Sequence, residues 1–339
     1  MLPFLLCKSS NFVIISFKKQ LSKTTNMWED PNKHKTIQRI AYVIIYSIWY
    51  TLSCLPLRVL YLLSDVVAFI LYHIVGYRRK VVSKNIHDSY PNLSEDECKS
   101  IERKFYRHFC DLLIESLKYF SMSEKEVKRR LQFKGIELIE ESYNNGRSCG
   151  IFLGHYGNFE WTSSMPLWVD HNRCQCVQFY RRLDNKVLNR ILEHQRDRWG
   201  SVNVPANESV RYLARYRKEG KPFIIGFAAD QTPWWRDIHY WTNFLNHPET
   251  PVFTGAERIM RKFDMDVYYL DITRVKRGKY IAEYKRITTT PNEHPEFWIT
   301  EQYTRMMEET INRAPAYWLW SHNRWKRTKE EWIRITGGK

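Results

Sequence analysis

No Cys-x-x-Cys pair, no internal repeat and no long low-complexity tract occurs in the 339 residues. The seven cysteines, at 7, 54, 98, 110, 149, 174 and 176, are odd in number. Neither a disulfide framework nor a zinc site is indicated, and the chain fits a reducing compartment. Acidic residues are scarce: 37 Asp and Glu face 53 Lys and Arg, a formal charge of +16. That imbalance implies an anionic partner, which is nucleic acid, an anionic membrane surface or an acidic carrier protein, or else a solvated basic surface. Apolar residues are not scarce. At 43% apolar and 15% aromatic, the chain buries a core whether it forms one large domain or two.

Residues 1–26 carry two short apolar runs, 2–7 and 12–17, followed by Lys18 and Lys19. A secretory signal has its positive charge before the apolar run and a small-residue cleavage site after it, and neither is clear here. Met27 opens a polar, charged segment of the kind that precedes a first membrane helix. Translation is expected to start there, leaving 1–26 untranslated.

Residues 40–57 contain no charged side chain and are rich in Ile, Val, Leu, Tyr and Trp, about the minimum length for a membrane span. A second apolar stretch, 59–77, is interrupted by Asp65 and followed by Arg78, Arg79 and Lys80. Aromatic belts and basic flanks are membrane-interface features. Either 40–57 spans the bilayer and the second stretch lies in the interface, or both form an amphipathic hairpin in one leaflet. A pair of buried core helices is the plainer alternative. The basic cluster puts the rest of the chain on the cytoplasmic side. The expected division is an N-terminal segment 1–36, a membrane anchor 37–80, a cytoplasmic-face domain 81–330 and a tail 331–339.

From residue 92 the pattern turns soluble. Ser94 and Glu97 form a capping box, and Ile101, Phe105, Phe109, Leu112 and Leu113 make one apolar helical face over 94–121. A short helix is expected at 123–131. Three short apolar runs then read as strands, 151–153, 177–180 and 223–229, with helices at 158–168, 186–199 and 209–217 between them. Segment 233–254 is aromatic and irregular and reads as a long loop that lines or caps an apolar channel, or as plain core packing. Segments 267–274 and 280–286 read as a hairpin turning at Arg277 and Gly278. Helices are expected at 254–263 and 295–314. The alternation argues for an α/β sandwich with several parallel strands.

The three strands deliver polar groups at their ends, His155, Arg181 and Asp230. Convergence at one carboxyl edge is what a site in an open α/β sheet requires. Gly154 and Gly157 bracket the turn after the first strand, and Glu160 follows in the first helical turn. A carboxylate five residues after the histidine can accept the proton on one ring nitrogen and leave the other as a base. It can equally be a helix-starting glutamate beside a core histidine, and spacing alone leaves both open. Arg181 and Arg182 at a strand end suit phosphate or carboxylate binding, or a surface ion pair.

The run His-Tyr-Gly-Asn-Phe-Glu over 155–160 resembles the His-x4-Asp/Glu signature of membrane acyltransferases, in the form found in the late acyltransferases of lipid A biosynthesis. Phe179 to Asn185, Asp230 with Gln231, the pair Thr254 and Gly255, and the aromatic, basic segment 318–325 are similar to that family in order and rough spacing. The resemblance covers roughly residues 40–325. It implies an acyltransferase-type α/β sandwich with a mostly parallel sheet. It also implies transfer of an acyl chain from an acyl carrier protein thioester, or acyl-CoA, to a hydroxyl of an anionic lipid A precursor. The setting would be the cytoplasmic face of a bacterial inner membrane, with no cofactor and no metal, since the thioester is already activated.

By the same resemblance His155 is the general base and Glu160 orients it, while Arg181 binds acceptor phosphate or the oxyanion. Asp230 supports that arginine or the acceptor, and Asn158 and Gln231 contact substrate. Arg182 departs from the pattern, because the family commonly has proline there. An acceptor of another kind (aminolipid, glycolipid or lysophospholipid), a hydrolase using the same pair, and a catalytically silent membrane-surface protein are the rival readings. No nucleic-acid motif accompanies the basic and aromatic residues, and the apolar N-terminal stretches argue for a membrane instead.

Overall fold

The computed structural model describes residues 34–180, 184–205 and 208–338. The expected start at Met27 and the expected roles of Arg181 and Arg182 lie outside the described residues.

Among the described residues two apolar helices come first, α1 (His34–Ser53) and α2 (Leu57–Phe69), with Pro56 between them and a π-helical extension of α2 over Ile70–Val75. Leu57–Val75 is apolar and long enough to cross a membrane. Both helices, however, bury one face against protein. Tyr42 and Tyr46 of α1 pack on Phe120, Val187 and Ile191, and Leu57, Leu60, Ser64 and Ala68 of α2 are buried. The opposite faces are bare: Ile40, Ile44, Ile48 and Leu52 form a four-residue stripe on α1, and Leu62, Leu63, Val66 and Phe69 another on α2. Asp65, the one charge in the second apolar run, points to protein, where Arg277 donates to it and to buried Asp111. Each of the two apolar stretches is therefore a helix with one side against protein and one side bare.

After α3 (Arg79–Ser89), the long helix α4 (Glu95–Tyr119) opens with the expected capping box of Ser94 and Glu97. Then come α5 (Glu124–Arg130), β1 (Leu131–Lys134), α6 (Ile136–Asn144) and β2 (Cys149–Leu153), all five residues of which are buried. The expected helix after β2 is a 3-10 run, Phe159–Trp168, containing Pro166. Hydroxyls of Thr162, Ser163 and Ser164 donate to the carbonyls three residues back, and that local bonding competes with α-helical pairing. β3 (Gln175–Tyr180), α7 (Lys186–Asp197), β4 (Val202–Pro205), α8 (Ser209–Lys218) and β5 (Phe223–Ala228) complete the alternating part.

Segment 233–254 is not a long loop. It is mostly a two-stranded hairpin, β6 (Ile238–Phe244) and β7 (His247–Phe253), turning through Leu245 and Asn246, both with positive φ as a type I′ turn requires. Next are α9 (Gly255–Lys262), the antiparallel pair β8 (Asp266–Lys276) and β9 (Lys279–Thr288), α10 (Trp298–Arg313) and a last short helix, α11 (Lys329–Thr336). The seven-stranded sheet has the order β1-β9-β8-β2-β5-β3-β4. Within this sheet, among the described residues, only the β8–β9 pairing is antiparallel, so the mostly parallel α/β sandwich is the observed architecture.

Candidate active site

Strands β2 and β5 are parallel neighbours, and Leu153 stands opposite Ala228. Two residues further along each chain lie His155 and Asp230, which are therefore brought together where the strands end. Small residues let the turn form. A side chain at Gly154 would collide with Met307 of α10, and Gly157 has φ +56 with its would-be Cβ 2.8 Å from Ile272.

The Asp230 carboxylate is only 2% exposed and the His155 side chain 19%. His155 Nδ1 lies 2.6 Å from Asp230 Oδ1, and the His155 backbone N–H donates to Oδ2 at 2.9 Å. The Trp318 indole N–H also donates to Oδ2, at 2.8 Å. On the other side of the ring, Gln231 Nε2 stands 3.2 Å from His155 Nε2. With Nδ1–H donating to the carboxylate, Nε2 carries the lone pair and accepts from the Gln231 amide. Burial opposes the charged imidazole, but the Asp230 charge and hydrogen bond outweigh it, with help from Glu160, and hold His155 above its ordinary value. Burial likewise opposes the Asp230 charge, yet His155 and the Trp318 indole hold it well below the usual carboxylate range. The arrangement is a carboxylate-held imidazole with a basic nitrogen facing outward.

Glu160 does not orient that ring. It sits in the first 3-10 turn, makes no hydrogen bond to His155, and pairs with Arg196 of α7 at 3.8 Å. The shape of the turn explains the difference: the parallel register already places Asp230 against Nδ1, and the 3-10 run carries Glu160 away from it. Asn158 also departs from expectation. It is fully buried, caps the 3-10 run by accepting from Trp161 N–H, and donates to Glu115 at 2.6 Å. Glu115 in turn accepts from Tyr61 and Tyr280, so Asn158 belongs to a buried polar knot, not to a substrate surface.

His155 and Glu160 line a cavity of about 460 Å³ over one face of the sheet. Its floor is apolar, with Ile151 and Leu153 of β2 and Ile224, Gly226 and Ala228 of β5, and Met165 closes over it from the 3-10 run. Gly226 and Ala228 are exposed although β5 lies between two other strands. Exposure inside a sheet marks open space above the strand. None of 233–254 lines this cavity; the hairpin packs on α10 and on the C-terminal aromatic segment.

The reading from the sequence missed Trp318 and the pairing of Asp230 with His155. Pairing across the sheet depends on strand order, which no local pattern carries. It also missed His322, whose Nε2 accepts from Thr232 N–H at 3.2 Å and whose ring is pushed down to about 4 by burial and nearby cations. No group of three or more His, Cys, Asp or Glu side chains among the described residues is arranged to hold a metal.

The sequence profile of bacterial lipid A biosynthesis acyltransferases matches residues 30–327. The chain is also similar to a lipid A biosynthesis acyltransferase of Haemophilus influenzae, 20% identical over an alignment of 297 residues that covers 84% of this chain and 90% of that one. With a buried carboxylate behind an outward-facing imidazole and an apolar cavity beside it, the protein belongs to the bacterial lipid A biosynthesis acyltransferase family and is an acyltransferase.

Proposed function

We propose that this acyltransferase moves a fatty acyl chain from a thioester donor, acyl carrier protein or coenzyme A, to a hydroxyl of a phosphorylated lipid A precursor, with His155 as general base. The observation that carries the reading is the ring itself: Nδ1 is bound to Asp230, and His155 also lines the apolar cavity. An alcohol is too weak an acid to attack a thioester unaided. In the proposed step the acceptor hydroxyl takes the place of the Gln231 amide at Nε2 and gives up its proton there. Its oxygen bonds to the thioester carbonyl carbon, the C–S bond breaks, and the imidazolium returns the proton to the departing thiolate. Asp230 stabilises the imidazolium throughout, and Glu160 adds its charge without a hydrogen bond.

The acyl chain would occupy the cavity over β5, whose glycine and alanine leave the room for it. Arg181 is retained as a proposed ligand of acceptor phosphate. The bare stripes on α1 and α2 and the cluster Arg78, Arg79 and Lys80 support docking on an anionic cytoplasmic leaflet.

The test is acyl transfer by purified membranes from labelled acyl carrier protein thioester to a Kdo-bearing lipid A precursor. Wild type should transfer, and His155→Ala should lose about 10²–10⁴-fold in rate while remaining membrane-bound. Transfer that survives the substitution refutes the base. Transfer only to another lipid keeps the chemistry and replaces the acceptor.

A further inference from the structure

The C-terminal segment passes directly behind the site. Tyr156 and Trp318 form an antiparallel bridge, and Gly157 N–H donates to Tyr317 O at 3.0 Å. Asn85 of α3 holds the segment by donating to Trp320 O and His322 O, both at 2.9 Å, and Arg78 donates to Ser321 O. Trp318 itself is 2% exposed. Phe244, Trp320 and Trp325 all meet its ring close to edge-on, so the direction of its N–H is fixed by packing.

We propose that Trp318 is a positioning residue for the His155 base, acting through the Asp230 carboxylate; the inference rests on the acyl-transfer reading above. Asp230 Oδ2 accepts from two donors fixed on separate segments, the His155 backbone and the Trp318 indole. That prevents rotation of the carboxylate and leaves Oδ1 directed at Nδ1. An indole N–H can donate but never accept. It therefore favours the ionised carboxylate and excludes a proton from Oδ2, so that the proton gained in the reaction stays on the imidazole. Arg324 is buried nearby and adds its positive field, but its hydrogen bond goes to Pro251 O and not to Asp230.

The experiment uses the full chain in membranes and compares Trp318→Phe, Asp230→Asn and the double variant. Trp318→Phe is expected to lower kcat about tenfold, as loss of one hydrogen bond to a charged group does, with KM within twofold. Because Trp318 acts through the Asp230 charge, the penalty should largely vanish in the Asp230→Asn background. Trp318→His, whose Nε2–H falls where the indole N–H stood, should recover part of the loss. An equal penalty in both backgrounds, or no difference between Phe and His, overturns the proposal.

A second readout needs no activity. Nitrogen NMR of the labelled His155 ring should show Trp318→Phe titrating at higher pH, because a carboxylate relieved of the indole becomes a stronger acceptor for Nδ1–H. An unmoved titration overturns the proposal even if transfer is impaired. Absence of transfer in the wild type refutes the functional reading and leaves this titration to decide the role of Trp318.

Discussion

Substituting Asp230 by Asn tests the core of the proposed chemistry, because the carboxamide must choose which half of the site to satisfy. Asp230 Oδ2 accepts from two donors and Oδ1 from His155 Nδ1. If the amide NH₂ takes the Oδ2 position it faces two N–H groups, and two buried hydrogen bonds are lost, at about 1–3 kcal/mol for each group left unpaired. The cheaper orientation keeps the oxygen there and turns NH₂ toward Nδ1. The ring must then accept at Nδ1 and carry its proton on Nε2, which is the wrong tautomer for a base. An imidazole base forced into the wrong tautomer in this way loses about 10⁴ in kcat in the serine-protease triad. A loss of roughly 10³–10⁴ is therefore expected here, with KM little changed.

The pH dependence carries an independent sign. Asp230 holds His155 above its ordinary value of about 6.5. The neutral ring is the active form, so wild-type kcat/KM should rise as pH passes through a value above about 6.5. Without the carboxylate charge, burial acts largely unopposed, and the residual activity of Asp230→Asn should already be on its plateau at neutral pH. Steady-state transfer from pH 5 to 9, with circular dichroism to confirm folding, reads both effects. A folded Asn variant with more than about a tenth of wild-type kcat and an unshifted limb would refute the assignment.

Three further outcomes follow from the geometry. Glu160→Gln should cost less than about tenfold in kcat, since Glu160 forms an ion pair with Arg196 at 3.8 Å and no hydrogen bond to the ring, and should move the rising limb of kcat/KM slightly down in pH by removing a charge that favours the imidazolium. A loss as large as that of Asp230→Asn would restore Glu160 as the orienting group. Asn158→Ala should lower stability by about 1–3 kcal/mol, because it leaves the buried Glu115 short of a donor; thermal unfolding measures this, and an unchanged melting temperature with a raised acceptor KM would return Asn158 to the substrate surface. Replacing Ile44 and Ile48 together by Glu puts two charges in the bare stripe of α1 and should shift the protein out of anionic vesicles in a flotation assay with no change in its circular dichroism. Undiminished flotation would remove that stripe from the membrane face.

Much of the fold was legible because it is written in local pattern. The strands at 151–153, 177–180 and 223–229 show as apolar runs, and the capping box at Ser94 and the turn at Gly278 announce their own geometry. The failures share a cause. The β6–β7 hairpin was unreadable because its turn places Leu245, a buried hydrophobe, at positive φ where Gly or Asn would have signalled it; the core holds Leu245 there at a local cost. Glu160 was favoured over Asp230 because five residues of sequence separation looks close, whereas Asp230 lies 75 residues away and is adjacent only through the parallel register of β2 and β5. Asn158 entered the site only through the resemblance of the 155–160 run, and its hydrogen bond to the buried Glu115 shows which way it points.

The proposed docking of α1 on the surface of one leaflet, and not across it, accords with what α1 touches. Its buried face packs against α7, and α7 carries Lys186, Arg190, Glu193, Arg196 and Asp197. If α1 crossed the bilayer, α7 would be drawn into hydrocarbon beside it, at about 2.5–3.5 kcal/mol for each Arg, Lys or Asp near the centre. Laid in the plane of one leaflet, as proposed, α1 would turn its exposed Ile40, Ile44, Ile48 and Leu52 toward lipid and keep α7 above the surface. The same geometry serves the proposed reaction. Leu192 and Arg196 of α7 line the cavity that His155 lines, so a single helix separates the bare stripe from the site. A lipid acceptor held in the leaflet and an acyl chain entering the cavity then meet the base within a short distance of the bilayer surface, and neither has to be carried through water.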